Sequence, residues 1–438
     1  MDFIVGVVIF LAAVVACLVT GHAMAWGLLA GYLCFVIIAL RRKIPAGKVF
    51  NATVSGMKDS LIVMRVMLLI GILTGMWRMS GTIAFSTYYG IKLIPAKFFV
   101  LAAFLISAVI SYAIGSCWGV ASTVGVILIS VGRSGGVNPI LAAGAIMSGA
   151  YFGDRCSPVA SIANLVAAIT RTDLFGNVRR MLKTSILPLI ICSIFYGTAS
   201  FFYPLKSPDL QFLEFMRDDF NMTAWLLLPV FITLVLPMMR VDVKLAILLS
   251  ALCAGIEAAV IQGYSIGEIL RCAVFGFHPE GLKTGTIFDG GGLISMIDVF
   301  IIMLVSGSFA KIFELTGCLD QVQNAVSGAY RRIDKFTATF AFSVVLVAAF
   351  CSQTIAAIML KTIIEKPYLD DGCSKEEIAL DIENSAIVVS SMIPWSLSVA
   401  GPMRILQVDA RMIPLTLFLF AVPVCYRFTK KQIFPNHQ

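Results

Sequence analysis

Apolar runs long enough to cross a lipid bilayer recur from one end of this chain to the other, and they leave little room for any other architecture. They fall at 3–19, 25–40, 61–79, 82–96 (a short one), 98–114, 182–203, 223–238, 243–262, 293–313, 318–332, 336–350 and 412–428. About 17–20 apolar residues span hydrocarbon as a helix, and lipid tolerates only backbone that satisfies its own hydrogen bonds. Of 438 residues 59% are hydrophobic and 13% charged, so no stretch is polar enough for a large soluble domain. The expectation is an all-α polytopic membrane protein with about 12–14 membrane segments. The first run, Phe3–Val19, lacks a basic start and a small-residue cleavage site and reads as a retained helix rather than a signal peptide.

The net charge of +8 belongs to loops on the cytoplasmic side and is no nucleic-acid footprint. Arg41-Arg42-Lys43 with Lys48, Arg179-Arg180 with Lys183, and Lys430-Lys431 read as cytoplasmic. The acidic stretch Leu210–Asn221, with Glu214, Asp218 and Asp219, reads as an external amphipathic link. Both termini then lie inside, in a cytoplasmic (inner) membrane. The segment Arg331–Lys335 falls outside on this scheme and fits it badly. Eleven scattered cysteines without a C-x-x-C spacing read as small packing residues. His22, His278 and His437 form no ligand pair, and no cofactor is called for.

Three stretches, 115–135, 138–171 and 351–406, resist a simple helix because Gly, Pro, Ser and Asn interrupt them. The densest is Ser148–Asn164, where Asp154-Arg155, Pro158 and several hydroxyl residues sit inside apolar sequence. Ionisable groups there are costly in lipid and face a partner or a watery path. The chain also matches itself at one offset. Gly71 pairs with Gly307, Gly81 with Gly317, Ser116 with Ser352 and Pro158 with Pro394 (352 − 116 = 236; 394 − 158 = 236). On the loop charges the two copies run in opposite senses, the inverted repeat of many secondary transporters, whose paired interruptions mark the substrate site. The division expected is 1–203 for the N-terminal helices and first repeat, 204–240 for the external link and a connecting helix, and 241–438 for the second repeat.

These motifs resemble the NhaC-type sodium/proton antiporter family over roughly 55–430. Gly71–Ile83 with Tyr88-Tyr89-Gly90 is similar to its G-x-L-x-G-x-W-x-x-S-G-T-I…Y-Y-G, and Gly115-Ser-Cys-Trp-Gly119 to its G-T-S-W-G. Ser148–Asn164 resembles S-G-A-Y-F-G-D-x-x-S-P-L-S-D-T-T-N, Ser352-Gln353 a D-Q pair, and Glu383-Asn384-Ser385…Ile393–Ser396 an E-D-[ST]…I-P-W-N. The resemblance implies a helical antiporter with discontinuous helices. Its ligands would be a small cation, Na+ or H+, or a small organic solute. Its surroundings would be the lipid bilayer, with a homodimer open to it. Three acidic positions of the pattern are neutral here: Ser161 or Ile162, Ser352 and Asn384. Neutral oxygens can still bind sodium, but without the charge that tightens binding and links it to protons. That leaves a second reading open, a Na+- or H+-coupled transporter or exchanger of amino or organic acids.

The candidate residues follow. Asp154 and Glu383 are the candidates for Na+ and proton binding; their bland readings are a pair with Arg155 and a helix-start charge beside Glu377 and Asp381. Arg155 would hold Asp154 or a carboxylate substrate. Ser116, Ser157, Ser161, Asn164, Ser352, Gln353, Asn384, Ser385 and Ser396 are neutral ligands or interhelical glue. Trp118 and Trp395 shape the cavity or pack. Pro158 and Pro394 break helices or kink them. Asp298 is a candidate for a proton relay, with Glu257 and Glu314 behind it. Arg78 is placed to snorkel, Arg65 to need a partner, and Gly290-Gly291-Gly292 to uncoil the entrance to the second repeat. No nucleophile–base or metal-ligand set speaks for an enzyme.

Overall fold

Backbone amides in lipid can be satisfied only inside the chain, and the apolar runs become helices accordingly. The computed structural model describes residues 2–20, 24–205, 210–239, 241–279, 281–284, 288–316 and 334–434. Helix α1 (Asp2–Thr20) pairs with α2 (Met24–Arg41), and both precede the long α3 (Ala46–Met79). Gly81, at φ 84°, turns the chain by 68° into α4 (Thr82–Leu93), a left-handed step that glycine takes without a Cβ clash. Then follow α5 (Phe99–Ile114), α6 (Cys117–Ser134, with a π turn at Ala121–Gly125), α7 (Pro139–Cys156), α8 (Ser161–Thr170) and α9 (Leu174–Phe202). The link holds α10 (Leu210–Asp219) and α11 (Leu228–Met238), and α12 (Val243–Val260) and α13 (Ile266–Phe275) come next. The second half holds α14 (Ile297–Leu315), α15 (Lys335–Phe350), α16 (Gln353–Asp370), α17 (Lys375–Asn384), α18 (Ala386–Ser390), α19 (Leu397–Ile405) and α20 (Leu417–Ile433). Among the described residues the only extended pairing is the Phe277–Gly290 bridge. The run 318–332 lies outside them.

The outer surface is apolar. Along α9, Ile186, Ile190, Ile194 and Phe201 are exposed, as are Leu245, Leu252, Ile256 and Val260 on α12. Stripes of this kind at helical spacing face lipid. Among the described residues three helices are long and apolar enough to cross by themselves, Ala96–Ile114, Cys117–Ser134 and Leu174–Phe202, and two bent pairs bring the count to five. That is fewer than the 12–14 segments expected. Three apolar helices are shorter, Trp26–Arg41, Leu293–Phe309 and Lys335–Phe350, and the polar interruptions divide others midway.

Element boundaries recur at the offset seen in the sequence. Helices α5 and α15 coincide at both ends (335 − 99 = 236; 350 − 114 = 236). Each stops at a left-handed residue, Gly115 (φ 71°) and Cys351 (φ 55°), and restarts from a serine cap, Ser116 and Ser352. The breaks at Pro158 and Pro394 lie between α7 and α8 and between α18 and α19. Packing between the halves is reciprocal: α8 lies on α16 and α17, while α19 lies on α6.

Small residues set the closest approach. A Cβ on Gly149 of α7 meets the Phe104 carbonyl and the Ala108 amide of α5, and one on Gly153 runs into the backbone of Ser111 and Tyr112. This contact brings two backbones together as in other membrane helix pairs. Gly153→Ala is expected to cost about 1–3 kcal/mol, because backbone cannot yield as a side chain does. Thermal unfolding in detergent against wild type measures it.

Candidate functional site

The centre of the site is a carboxylate on a helix start. Gly115 ends α5 with its amide bonded back to the Ser111 carbonyl, 2.7 Å. A Cβ there would strike the Ala160 amide, so the turn and the α7–α8 break are built against each other. Ser116 caps α6 by accepting from the Gly119 amide at 3.2 Å. The Cys117 amide donates to Asp154 Oδ1 at 3.2 Å. Asp154, in the last turn of α7, thus sits at the start of α6, where a helix amide and dipole favour negative charge. Gln353, the 236-offset counterpart of Cys117 (353 − 117 = 236), is the first residue of α16. Its Oε1 accepts from Ser398 Oγ at 3.1 Å, and its amide nitrogen turns toward Asp154 without closing a normal hydrogen bond. Tyr151, Asp154, Arg155, Gln353 and Ser391 share a small cavity of about 10 Å³ walled by Ile387, Val388 and Phe418. That is about the room for one water-sized particle.

Arg155 is buried and joins three helices. Its Nη1 donates to Ser185 Oγ at 2.6 Å, and its Nη2 to Thr184 Oγ1 at 2.9 Å and to Asn384 Oδ1 at 2.7 Å. It forms no ion pair with Asp154 among the described residues, so the structural pair that stood as the alternative for Asp154 is not formed. Glu383, beside Asn384, is 1% exposed and neither carboxylate oxygen has a hydrogen-bond partner among the described residues. Its neighbouring charges are Arg155 and Asp154. A buried carboxylate without donors is costly, and Glu383 together with Asp154 around one arginine makes a set that can take up a cation or a proton.

A model of the Na+/H+ antiporter family matches residues 149–429, more than half of the chain. The chain belongs to the Na+/H+ antiporter family. Among this antiporter's relatives, a malate-2H+/Na+-lactate antiporter of Bacillus subtilis is 29% identical over 356 residues, 79% of this chain and 75% of that protein. The Na+/H+ antiporter NhaC of Alkalihalophilus pseudofirmus is 26% identical, covering 85% and 82%. The arginine/ornithine antiporter ArcD of Halobacterium salinarum is 26% identical, covering 80% and 75%. Membership makes the chain an integral membrane antiporter.

Other residues of this antiporter stand elsewhere than the sequence suggests. Ser161 and Asn164 are exposed at the start of α8. Asn164 is spent on the Pro158 and Ala160 carbonyls, at 3.0 and 2.9 Å, so neither lines the Asp154 cavity. Ser116 and Ser352 are helix caps, while Ser396 holds the N-cap position of α19 with its hydroxyl turned to the Cys351 carbonyl at 3.5 Å. Ser157 is buried and accepts from the Val159 amide, while Ser385 bonds back to the Asp381 carbonyl at 2.6 Å. Trp118 lies on Gly401 of α19, and Trp395 donates to the Ala348 carbonyl at 3.0 Å; both pack. Asp298 is ion-paired with Arg404 at a half-exposed position. Glu257 is buried on α12 with Cys253 as its neighbour; the side chain of Glu314 lies outside the described residues.

Arg78 does not snorkel. It is buried and donates to the Asp289 carbonyl at 2.7 Å, while Arg65 is exposed. Gly290, Gly291 and Gly292 all take positive φ. The Gly292 amide bonds the Gly71 carbonyl at 2.7 Å, so the glycines do uncoil the chain ahead of α14. They also press it onto α3, where a Cβ on Gly291 would strike the Gly75 backbone.

The sequence reading missed a second buried cluster. Asp381 accepts from Tyr368, Tyr426 and Lys430, each at 2.6 Å, and Lys430 also pairs with Glu377 at 2.9 Å. Glu377, Asp381 and Asn384 follow one face of α17 at i, i+4, i+7, a spacing that was the available signal. At the other end of the 410–433 segment, Asp409 and Arg411 line a wide cavity of about 1180 Å³.

Proposed function

We propose that this antiporter exchanges Na+ against protons by alternating access, with Asp154 as the carboxylate for which the two ions compete. The observation that carries the reading is Asp154 held on the α6 amides within reach of Gln353, at the meeting of the two halves. Glu383 is the second acid of the set, and oxygen donors of this kind suit a hard cation. Chain segments 1–203 and 241–438 act as two inverted repeats around the site, joined by 204–240. Both termini lie on the cytoplasmic side with Arg41–Lys43, Arg179, Arg180, Lys183 and Lys430. The wide cavity then faces outward, and the Glu377–Asp381–Lys430 cluster closes the inner side.

A second reading has its own support. Buried Arg155 adjoins the cavity through Asn384 and Gln353, and relatives are named for lactate, malate, arginine and ornithine. On this reading an organic acid or amino acid is the exchanged solute and Na+ or H+ the coupling ion. Purified protein in proteoliposomes discriminates the two. An imposed Na+ gradient is expected to move protons, read by an entrapped pH dye, and the second reading adds counterflow of labelled lactate or arginine. Vesicles silent in every arm overturn both.

A further inference from the structure

The wide cavity holds cations that the exchange mechanism does not use. Arg78 closes α3 from one side and Arg133 ends α6 on the other. Arg133 donates to Gln407 Oε1 at 2.8 Å and to the carbonyls of Leu406 and Gln407 at 2.9 and 2.7 Å. Gln407, held left-handed at φ 54°, returns its amide to the Asp289 carbonyl at 3.1 Å, the same oxygen that Arg78 takes. The two guanidiniums are thus bridged by neutral oxygens, and neither forms an ion pair among the described residues. Arg78 Nε is buried and without a partner. The nearby acids are engaged elsewhere: Asp298 with Arg404, Asp409 with Arg411 at 2.7 Å, and Asp289 with His278 at 3.6 Å. Arg78, Arg133, Arg404 and Arg411 line the cavity together with one lining carboxylate, Asp409, so its wall is positive on balance.

We propose that this cavity is a capture site for a small organic monocarboxylate, its oxygens on Arg78 and Arg133. The planar guanidinium fork matches a carboxylate. The site is distinct from the centre. Sixteen residues of α6 separate Cys117 from Arg133 (133 − 117 = 16), roughly 24 Å of helix. A cationic vestibule raises the local concentration of an anion before it moves inward. The inference rests on the organic-solute reading above.

The test uses full-length protein in nanodiscs and equilibrium binding of radiolabelled lactate, with unlabelled malate and inorganic phosphate as competitors. Arg133→Gln is expected to weaken lactate binding at least tenfold, and Arg78→Lys to weaken it in the same direction. Arg133 is half-buried on a helix end, so its variant tests the site even where an Arg78 variant fails to fold; unfolding temperature identifies that case. Lactate affinity unchanged in Arg133→Gln, with lactate counterflow intact, overturns the capture site and leaves the organic-solute reading standing. Neither binding nor counterflow of any organic acid by wild type overturns that reading, and the site with it. Phosphate competing better than lactate overturns the carboxylate assignment.

Discussion

Asp154→Asn is expected to abolish ion-coupled flux and leave the protein folded. Asparagine has the same shape, and its Oδ1 can keep the hydrogen bond from the Cys117 amide, so the α5–α6 turn and the α7–α8 break stay in register. What disappears is a unit charge. At an effective dielectric of about 20, a cation about 4 Å from a carboxylate gains about 4 kcal/mol, on the order of a thousandfold in affinity. A neutral amide offers sodium one oxygen and none of that attraction, and it cannot carry the exchanged proton. Glu383→Gln is a contrasting case. Its carboxylate has no hydrogen-bond donor to lose, so neutralising it is expected to cost little stability, while flux falls because the set loses an acid. Proteoliposome flux and thermal unfolding on the same preparations separate the two effects. Flux within threefold of wild type in Asp154→Asn would sink the assignment of Asp154.

Those features that depend on local sequence were legible. Hydrophobicity is summed over a window, so α1, α2, α5, α12 and α15 appear within a few residues of where the apolar runs put them. A constant offset survives divergence because helix starts and stops are punctuated by single residues; Ser116 with Ser352 and Pro158 with Pro394 marked the breaks. Asp154 stood out as a charge in apolar surroundings. Partners far apart in the chain were not legible. Nothing near Arg155 announces Thr184, Ser185 or Asn384, and a carboxylate next door made an ion pair the simpler reading. Glu377 and Asp381 follow Lys375 and look like the solvated start of a helix. Only the arrival of Lys430 on α20 shows that they are buried. Arg78 looked like an interfacial charge because its acceptor, the Asp289 carbonyl, lies 211 residues away.

Lys430→Met is expected to be the most destabilising single change on the closed side of the molecule. Asp381 is fully buried, and Lys430 is its ion-pair partner, at 2.6 Å. The hydroxyls of Tyr368 and Tyr426 hold the carboxylate in place, but they bring no charge. Removing one member of a buried pair strands the other, and the cost is about 3–5 kcal/mol. Methionine fills much of the lysine stem's volume, so the loss is electrostatic rather than a cavity effect. The decisive variant is therefore the double change Lys430→Met with Asp381→Asn. Asparagine keeps an acceptor for a tyrosine hydroxyl and removes the stranded charge, so the double variant is expected to unfold at a higher temperature than Lys430→Met alone. The same substitutions bear on transport. Residue Asp381 lies one turn from Asn384 and Glu383 on α17, so loosening its hold on α20 frees the helix that carries half of the central acid set. Lys430→Met protein that folds is expected to leak protons without a Na+ gradient, as the closed side no longer seals. Equal stability of Lys430→Met and wild type, or a double variant less stable than the single one, would show that the Lys430–Asp381 charge pair does not hold this side closed.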